Sequence, residues 1–304
     1  MTRGPSRHRL ESFLFRLINT IGSLLPERLA LRMGGAAGVL VGSVLRIRRR
    51  DVDRHLDWVF PQRSPEWRRA LARASYRHLG REAVVLFRCG GWSRERILDR
   101  TSVVGFEAFR KDADAGAGVI LLTGHLGNWE MGGAGIAARG IPLDVVGKGM
   151  ANRQFEQDLF AARERLGMRV VEMRDAPREA LRSLSEGRVV AMLGDQNAHR
   201  GGIFLPFFGR PASTVRGPAV LAARTGARIW VGFATRDPGP EQRYTLRLEP
   251  LFVPATGRPA DDAAALMGAY GSKLEEAVKS APEQYFWQHR RWKKQPPEEP
   301  ASEG

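Results

Sequence analysis

Few residues of this chain have the types and spacing to do chemistry, and the clearest is a histidine. In Leu121-Leu122-Thr123-Gly124-His125-Leu126-Gly127-Asn128-Trp129-Glu130 a buried-strand pattern runs into a helix start. A strand of an α/β sheet delivers the residues after it to the carboxyl edge, where such sheets carry their sites. Gly124 and Gly127 free the backbone around His125, Asn128 can cap the following helix, and Glu130 falls in its first turn. A strand–turn–helix corner of this length lets the Glu130 carboxylate hold one imidazole nitrogen and leave the other as a general base. A single histidine at a corner also has a purely structural reading, so its weight depends on the rest of the chain.

The elements that must position it alternate. Strand patterns cover Gly116 to Thr123, Leu143 to Gly147, Met168 to Glu172, Arg188 to Leu193, Arg228 to Ala234 and Tyr244 to Leu248. Helical patterns lie between or after them, over Asn128 to Ala138, Arg153 to Leu166, Pro177 to Glu186, Val215 to Thr225 and Asp261 to Lys279. This order predicts an α/β fold with a mixed, largely parallel sheet flanked by helices. Asp195 ends a buried strand on the same sheet edge as His125, where it can hold Arg163, brace a backbone turn or simply start one. Residues 51–100 read as helical, with a clear pattern from Glu66 to Phe87.

With 304 residues, 43% of them apolar and 27% charged, the chain can bury a sizeable core and is neither disordered nor a multi-span membrane protein. One cysteine, Cys89, excludes an intramolecular disulfide framework and a cysteine-rich metal site. The net charge of +15 implies an anionic partner. More than half of that excess, +8, lies in residues 1–50, beside the most apolar stretches of the chain. Residues 13–25 pattern as an amphipathic helix closed by Pro26. A second apolar stretch, Leu29 to Ile47, runs into Arg48-Arg49-Arg50. Its uncharged core is short of the roughly 20 residues a membrane span needs. An interfacial helix rimmed by arginine suits an anionic leaflet; two helices packed on the globular body are the alternative. The tail after Gln295 is polar and proline-rich, and reads as disordered.

Several ordered segments carry a resemblance to a known family. Gly124 to Glu130 is similar to the His-x4-Glu motif of the bacterial lipid A late acyltransferases, the lauroyl and myristoyl transferases, whose relatives include the phosphatidylinositol mannoside acyltransferases. The broader glycerolipid acyltransferases have a similar His-x4-Asp motif. Leu25-Pro26, Val59-Phe60-Pro61, Arg163-Glu-Arg165-Leu-Gly167, Gly194-Asp195-Gln196, Gly201 to Gly209, Thr214-x-x-Gly217, Leu221 to Ala227 and Tyr285 to Lys293 resemble its further blocks. The likeness extends over about residues 12–294. One departure is His55-Leu56-Asp57, where the family often has Asn-Leu before the Phe-Pro element.

The resemblance implies a glycerolipid-acyltransferase-like fold in three parts: a membrane-associated helical segment at 1–50, the α/β acyltransferase domain at 51–294 and a tail at 295–304. It implies that His125 takes the proton of an acceptor hydroxyl, with Glu130 orienting the imidazole. The acyl group would come from a thioester on acyl carrier protein, with coenzyme A the alternative, and no metal or redox cofactor is needed. Backbone N–H groups near Gly127 and Asn128 are expected to stabilise the oxyanion. Asn128, Arg163, Asp195 and Arg216 are the expected substrate-binding residues. Arg163 would grip a phosphate and Arg216, on a helix start capped by Thr214, would face anionic headgroups. Phe204, Phe207 and Phe208 are candidates for an acyl channel. The implied partners are anionic membrane lipid, a phosphorylated glycolipid acceptor such as a lipid A precursor, and acyl carrier protein, at the cytoplasmic face of a bacterial inner membrane. A lysophospholipid or phosphatidylinositol mannoside is the alternative acceptor. Against a nucleic-acid-binding reading, no recognised binding motif is visible. A metallohydrolase built on His125, Asp195 and His199 lacks the tight ligand spacing such sites use. A scaffold without activity is disfavoured by the intact His125 and Glu130.

Overall fold

The structure, a computed structural model, describes residues 25–147, 153–198, 201–239 and 241–296. The amphipathic helix expected over 13–25 and the tail after Gln295 fall almost wholly outside the described residues, as does His199. Among the described residues, seven strands form one sheet. These are β1 (Thr101–Val104), β2 (Val119–Thr123), β3 (Leu143–Gly147), β4 (Met168–Glu172), β5 (Val189–Leu193), β8 (Arg228–Arg236) and β9 (Tyr244–Pro250). Their order across the sheet is β1-β9-β8-β2-β5-β3-β4. The run from β8 through β2, β5 and β3 to β4 is parallel throughout, and β9 turns back antiparallel on β8 with β1 parallel beside it. The mixed, largely parallel sheet expected from the alternation is present, and each expected strand lies where it was read.

β2 sits in the middle of the sheet because both its faces can be buried. Val119 and Leu121 join one core, with Met131, Ile136, Trp230 and Leu246; Ile120 and Leu122 join the other, with Val190, Val231, Met267 and Leu274. The first core is covered by α4 (Arg94–Arg100), α5 (Phe106–Asp114) and α6 (Trp129–Ala138). The second lies under α2 (Arg49–Val59), α8 (Ala176–Ser185), α9 (Gly217–Thr225) and α10 (Pro259–Ser280). The helix α3 (Pro65–Cys89) reaches both, through Leu71 and Tyr76 at one end and Val85 at the other. The helix α7 (Arg153–Arg165) leads into β4. Three short elements were not anticipated: β1, α5 and the antiparallel hairpin of β6 (Ile203–Phe207) with β7 (Arg210–Thr214). The hairpin packs on the second core through Phe207 and Ala212.

The apolar stretch after Pro26 forms α1 (Glu27–Ser43), which packs along α3. Its inner face is glycine. A Cβ on Gly38 would lie 2.0 Å from the Tyr76 carbonyl oxygen, and one on Gly80 of α3 would lie 2.1 Å from that of Gly34. Backbones approach this closely only where no side chain intervenes. The outer face carries Leu29, Met33, Leu40 and Val44, all exposed, followed by exposed Leu45 and Ile47. Among the described residues, no helix is long and apolar enough to cross a membrane. Residue 50 lies inside α2, so this helix runs across the boundary drawn there.

The last described segment is a strap across the carboxyl edge of the sheet. Gly127 N–H donates to the Gln284 carbonyl at 3.0 Å, and Phe286 N–H donates to the His125 carbonyl at 2.9 Å, with Leu126 bridged to Tyr285. His55, the departure from the family pattern, is buried, and its Nδ1 donates to the Trp287 carbonyl at 2.9 Å.

The glycine contact predicts opposite outcomes for two Gly→Ala changes. Gly38→Ala should destabilise by about 1–3 kcal/mol, since the new methyl meets backbone that cannot yield. Gly268→Ala, where a Cβ meets nothing within 4 Å, should stabilise α10 by about 0.5–1 kcal/mol. Thermal melts of both variants beside the parent check this.

Candidate active site

His125 follows the central strand, and its partner comes from the neighbouring one. The Asp195 carboxylate, just past β5, accepts from the His125 backbone N–H through Oδ2 at 2.8 Å and from Nδ1 of the ring through Oδ1 at 2.7 Å. Asp195 is buried. Burial alone would push its carboxyl up, but its electrostatic interaction and hydrogen bonds with His125 hold it below the ordinary carboxylate range. With Nδ1–H directed at Asp195, the tautomer assigned from these partners leaves the lone pair of Nε2 as acceptor. That nitrogen accepts from the Gln196 side-chain amide, at 3.0 Å. Trp129 stacks edge-on against the imidazole at 4.7 Å between ring centres.

The expected pairing of His125 with Glu130 is therefore corrected. Helix α6 starts at Trp129, and its first turn carries Glu130 toward α7, where Arg163 grips it with two prongs: Nε to Oε2 at 2.9 Å and Nη2 to Oε1 at 2.5 Å. The Trp129 indole N–H also donates to Glu130, at 3.1 Å. Among the described residues Arg163 makes no bond to Asp195; its Nε and Nη2 are engaged by Glu130.

Asn128 is also engaged internally. Its Oδ1 caps α6 by accepting from Met131 N–H at 2.9 Å, and its Nδ2 donates to Glu82 at 2.7 Å. Glu82 is a buried carboxylate on α3 that also accepts from the Tyr244 hydroxyl at 2.6 Å and Gln242 at 3.1 Å. Burial pushes Glu82 up to about 7. The expected oxyanion donors are occupied too: Gly127 N–H by Gln284, and Asn128 N–H by the Ala234 carbonyl at 2.8 Å.

Arg216 is exposed at the start of α9. Thr214 does not cap that helix, because its hydroxyl accepts from Arg291 at 2.6 Å and donates to the Ala212 carbonyl. Phe207 and Phe208 belong to an aromatic cluster with Phe60, Tyr285, Trp287 and Trp292, while Phe204 lies near Lys294. A small apolar cavity lies instead against Trp129 and the Glu130–Arg163 pair. It measures about 50 Å³ and is lined by Trp129, Glu130, Arg163, Val146, Met168 and Met192, among others. Among the described residues, no group of three or more His, Cys, Asp or Glu is placed to hold a metal ion. Burial pushes the Cys89 thiol up to about 12, which keeps it protonated and unreactive.

Two contributors lay outside the sequence reading: Gln196 on Nε2 of His125 and the Glu82 network behind Asn128. His289, which reads as structural in the sequence, holds the same loop, its Nε2 accepting from Asn197 N–H at 3.0 Å. Adjacency to Asp195 was the available signal for Gln196. Nothing in the sequence ties Glu82 to Asn128, because the pair spans separate elements.

A buried histidine oriented by a carboxylate at a strand end is suited to general-base chemistry, and the relatives make the chain an acyltransferase. The model of the family described as bacterial lipid A biosynthesis acyltransferase matches residues 6–294, and the chain belongs to that family. It is 28% identical over 279 residues to the lipid A biosynthesis lauroyltransferase of Escherichia coli, covering 90% of this chain and 88% of that one. It is 27% identical over 275 residues to the palmitoleoyltransferase of the same organism, with 90% and 87% covered. Similarity to the phosphatidylinositol mannoside acyltransferase of Mycolicibacterium smegmatis, 28% over 161 residues, covers 52% of each chain.

Two outcomes are expected of this geometry. Arg163→Ala leaves Glu130 buried without its counter-charge and should cost about 3 kcal/mol; Arg163→Lys, which keeps the charge but loses the fork, should fall between. Both should impair transfer to phosphorylated and dephosphorylated acceptors in equal proportion, measured by steady-state kinetics beside melting curves. A loss confined to the phosphorylated acceptor would instead give Arg163 a phosphate contact. Second, burial pushes His289 down to about 4. Its folded form resists protonation, so its contribution to stability is complete above about pH 6.5 and declines as pH falls from there to about 4. His289→Gln should flatten the acid side of a stability–pH curve by up to about 1.4 kcal/mol per pH unit.

Proposed function

We propose that this enzyme moves a fatty acyl group from a thioester, carried by acyl carrier protein, to a hydroxyl of a lipid A precursor or a related phosphorylated glycolipid. The observation that carries the reading is the His125 imidazole held through Nδ1 by Asp195, with the Nε2 lone pair directed away from it. Nε2 takes the hydroxyl proton as the oxygen attacks the thioester carbon. The tetrahedral intermediate then expels the thiolate, which takes the proton back from Nε2. Asp195 offsets the positive charge the ring carries between the two steps. Glu130 acts through structure, clamping the start of α6 to α7 by way of Arg163 and Trp129. The names of the full-length relatives favour a lipid A acceptor; those of the mycobacterial relatives favour a phosphatidylinositol mannoside as the second reading.

The acceptor is a lipid, and the outer face of α1 supports docking at a membrane surface. Leu40, Val44, Leu45 and Ile47 are exposed there, next to exposed Arg46 and Arg50. This combination suits the anionic cytoplasmic face of a bacterial inner membrane.

His125→Ala and Asp195→Asn should each lower transfer by at least about 10²-fold without unfolding the protein, and the double variant should be little worse than either. The measurement is mass spectrometry of total lipids from cells with and without each variant, reading the loss of one acyl group. Replacing Leu40, Val44 and Ile47 with aspartate should release the protein from anionic vesicles in a sedimentation assay. High salt should release the parent only in part, because screening leaves the apolar contact intact.

A further inference from the structure

The tetrahedral intermediate of acyl transfer carries a negative charge on the former carbonyl oxygen, and donors aimed at that oxygen are usually the largest catalytic contribution. Four of the donors around the corner are already engaged. Gly127 and Asn128 donate to the carbonyls of Gln284 and Ala234, and Arg163 and the Trp129 indole donate to Glu130. Gln196 differs in kind. Its amide nitrogen lies 3.0 Å from Nε2 of His125, and since Nδ1 carries the ring proton, the amide is the donor in that contact. Its acceptor is the lone pair that the reaction consumes.

We infer that Gln196 is a catalytic residue, whose amide fills the acceptor-hydroxyl position in the free enzyme and moves onto the thioester carbonyl oxygen during transfer. Entry of the hydroxyl must displace the amide, because both need the same lone pair on Nε2. When Nε2 then takes the proton it becomes a donor and can no longer accept from Gln196. The amide loses its resting partner at the step in which charge builds on the carbonyl oxygen. The side chain is only half-buried, so it has room to swing, while its two neighbours are anchored, Asp195 through its carboxylate and Asn197 through its backbone N–H. The movement required is on the order of one hydrogen-bond length, about 3 Å. The carbonyl π pair moves onto oxygen as the new C–O bond forms, Gln196 donates to that oxygen, and the pair returns as the C–S bond breaks; Gln196 itself neither gains nor loses a proton.

The inference rests on the reading of His125 as general base, so the test separates the two. Gln196→Ala and the near-isosteric Gln196→Met are compared with the parent and His125→Ala, using an acyl-thioester donor and the lipid acceptor. Both Gln196 variants should lose about 10²-fold in kcat. Their KM for the acceptor should be unchanged or lower, because the competitor for Nε2 is gone, and melting temperatures should hold. In acceptor-free protein, modification of His125 by diethyl pyrocarbonate, read by peptide mass spectrometry, should run several-fold faster in both. A kcat within threefold of the parent in Gln196→Met, with His125→Ala inactive, overturns the donor role alone. Equal modification rates in parent and variants overturn the resting contact. An active His125→Ala protein overturns the base reading and the inference with it.

Discussion

One carboxylate ties the site together. Asp195 binds His125 twice, through the backbone N–H and through the ring, and so joins the ends of two adjacent parallel strands. A buried charge is retained only where its partners offset the desolvation it suffers, and two hydrogen bonds to one residue do this while fixing that residue's backbone and side chain together. The imidazole therefore has one position and one tautomer. Everything else around it has to conform: the corner after β2, the start of α6, and the loop that carries Asp195 and Gln196.

That corner is held tightly from behind. Gly127 sits at a φ of +64°, and a Cβ there would lie 1.9 Å from the Ala234 carbonyl oxygen. The turn thus lies against β8, with backbone hydrogen bonds to β8 and to the carboxyl-terminal strap. Behind it, Glu82, Tyr244 and Gln242 fix the side chain that caps α6. These groups touch no reacting atom, yet they decide where the helix begins and hence that Glu130 meets Arg163 and not the imidazole.

The fold was legible because the strands are short apolar runs bounded by glycine and polar residues, and each found a place in the sheet. The hairpin at 203–214 was not, since Pro206 and Pro211 break the usual strand pattern and its pairing depends on the aromatic cluster it packs against. His125 was found from its corner. Its true partner was not, because Glu130 is near in sequence and Asp195 is near only once β2 and β5 are side by side. Spacing along the chain tells which groups can meet locally; it carries no information on strand order, and strand order is what set this pair. Arg163 was singled out from its segment, but its partner, Glu130, depended on the direction in which the first turn of α6 points. In the same way the glycines of α1 read as part of an apolar run, whereas their use is to let α3 approach.

The strap has a consequence for how the protein is made. The residues that clasp His125 and Gly127 lie some 160 positions further along the chain, and such distant pairings form late, after the loops they close have been ordered. While the polypeptide is being synthesised, the sheet can assemble from β2 onward, but the catalytic corner stays open until Gln284 to Phe286 have emerged. A ribosome-bound chain that already holds His125, Asp195 and Gln196 would still lack the clasp on that corner.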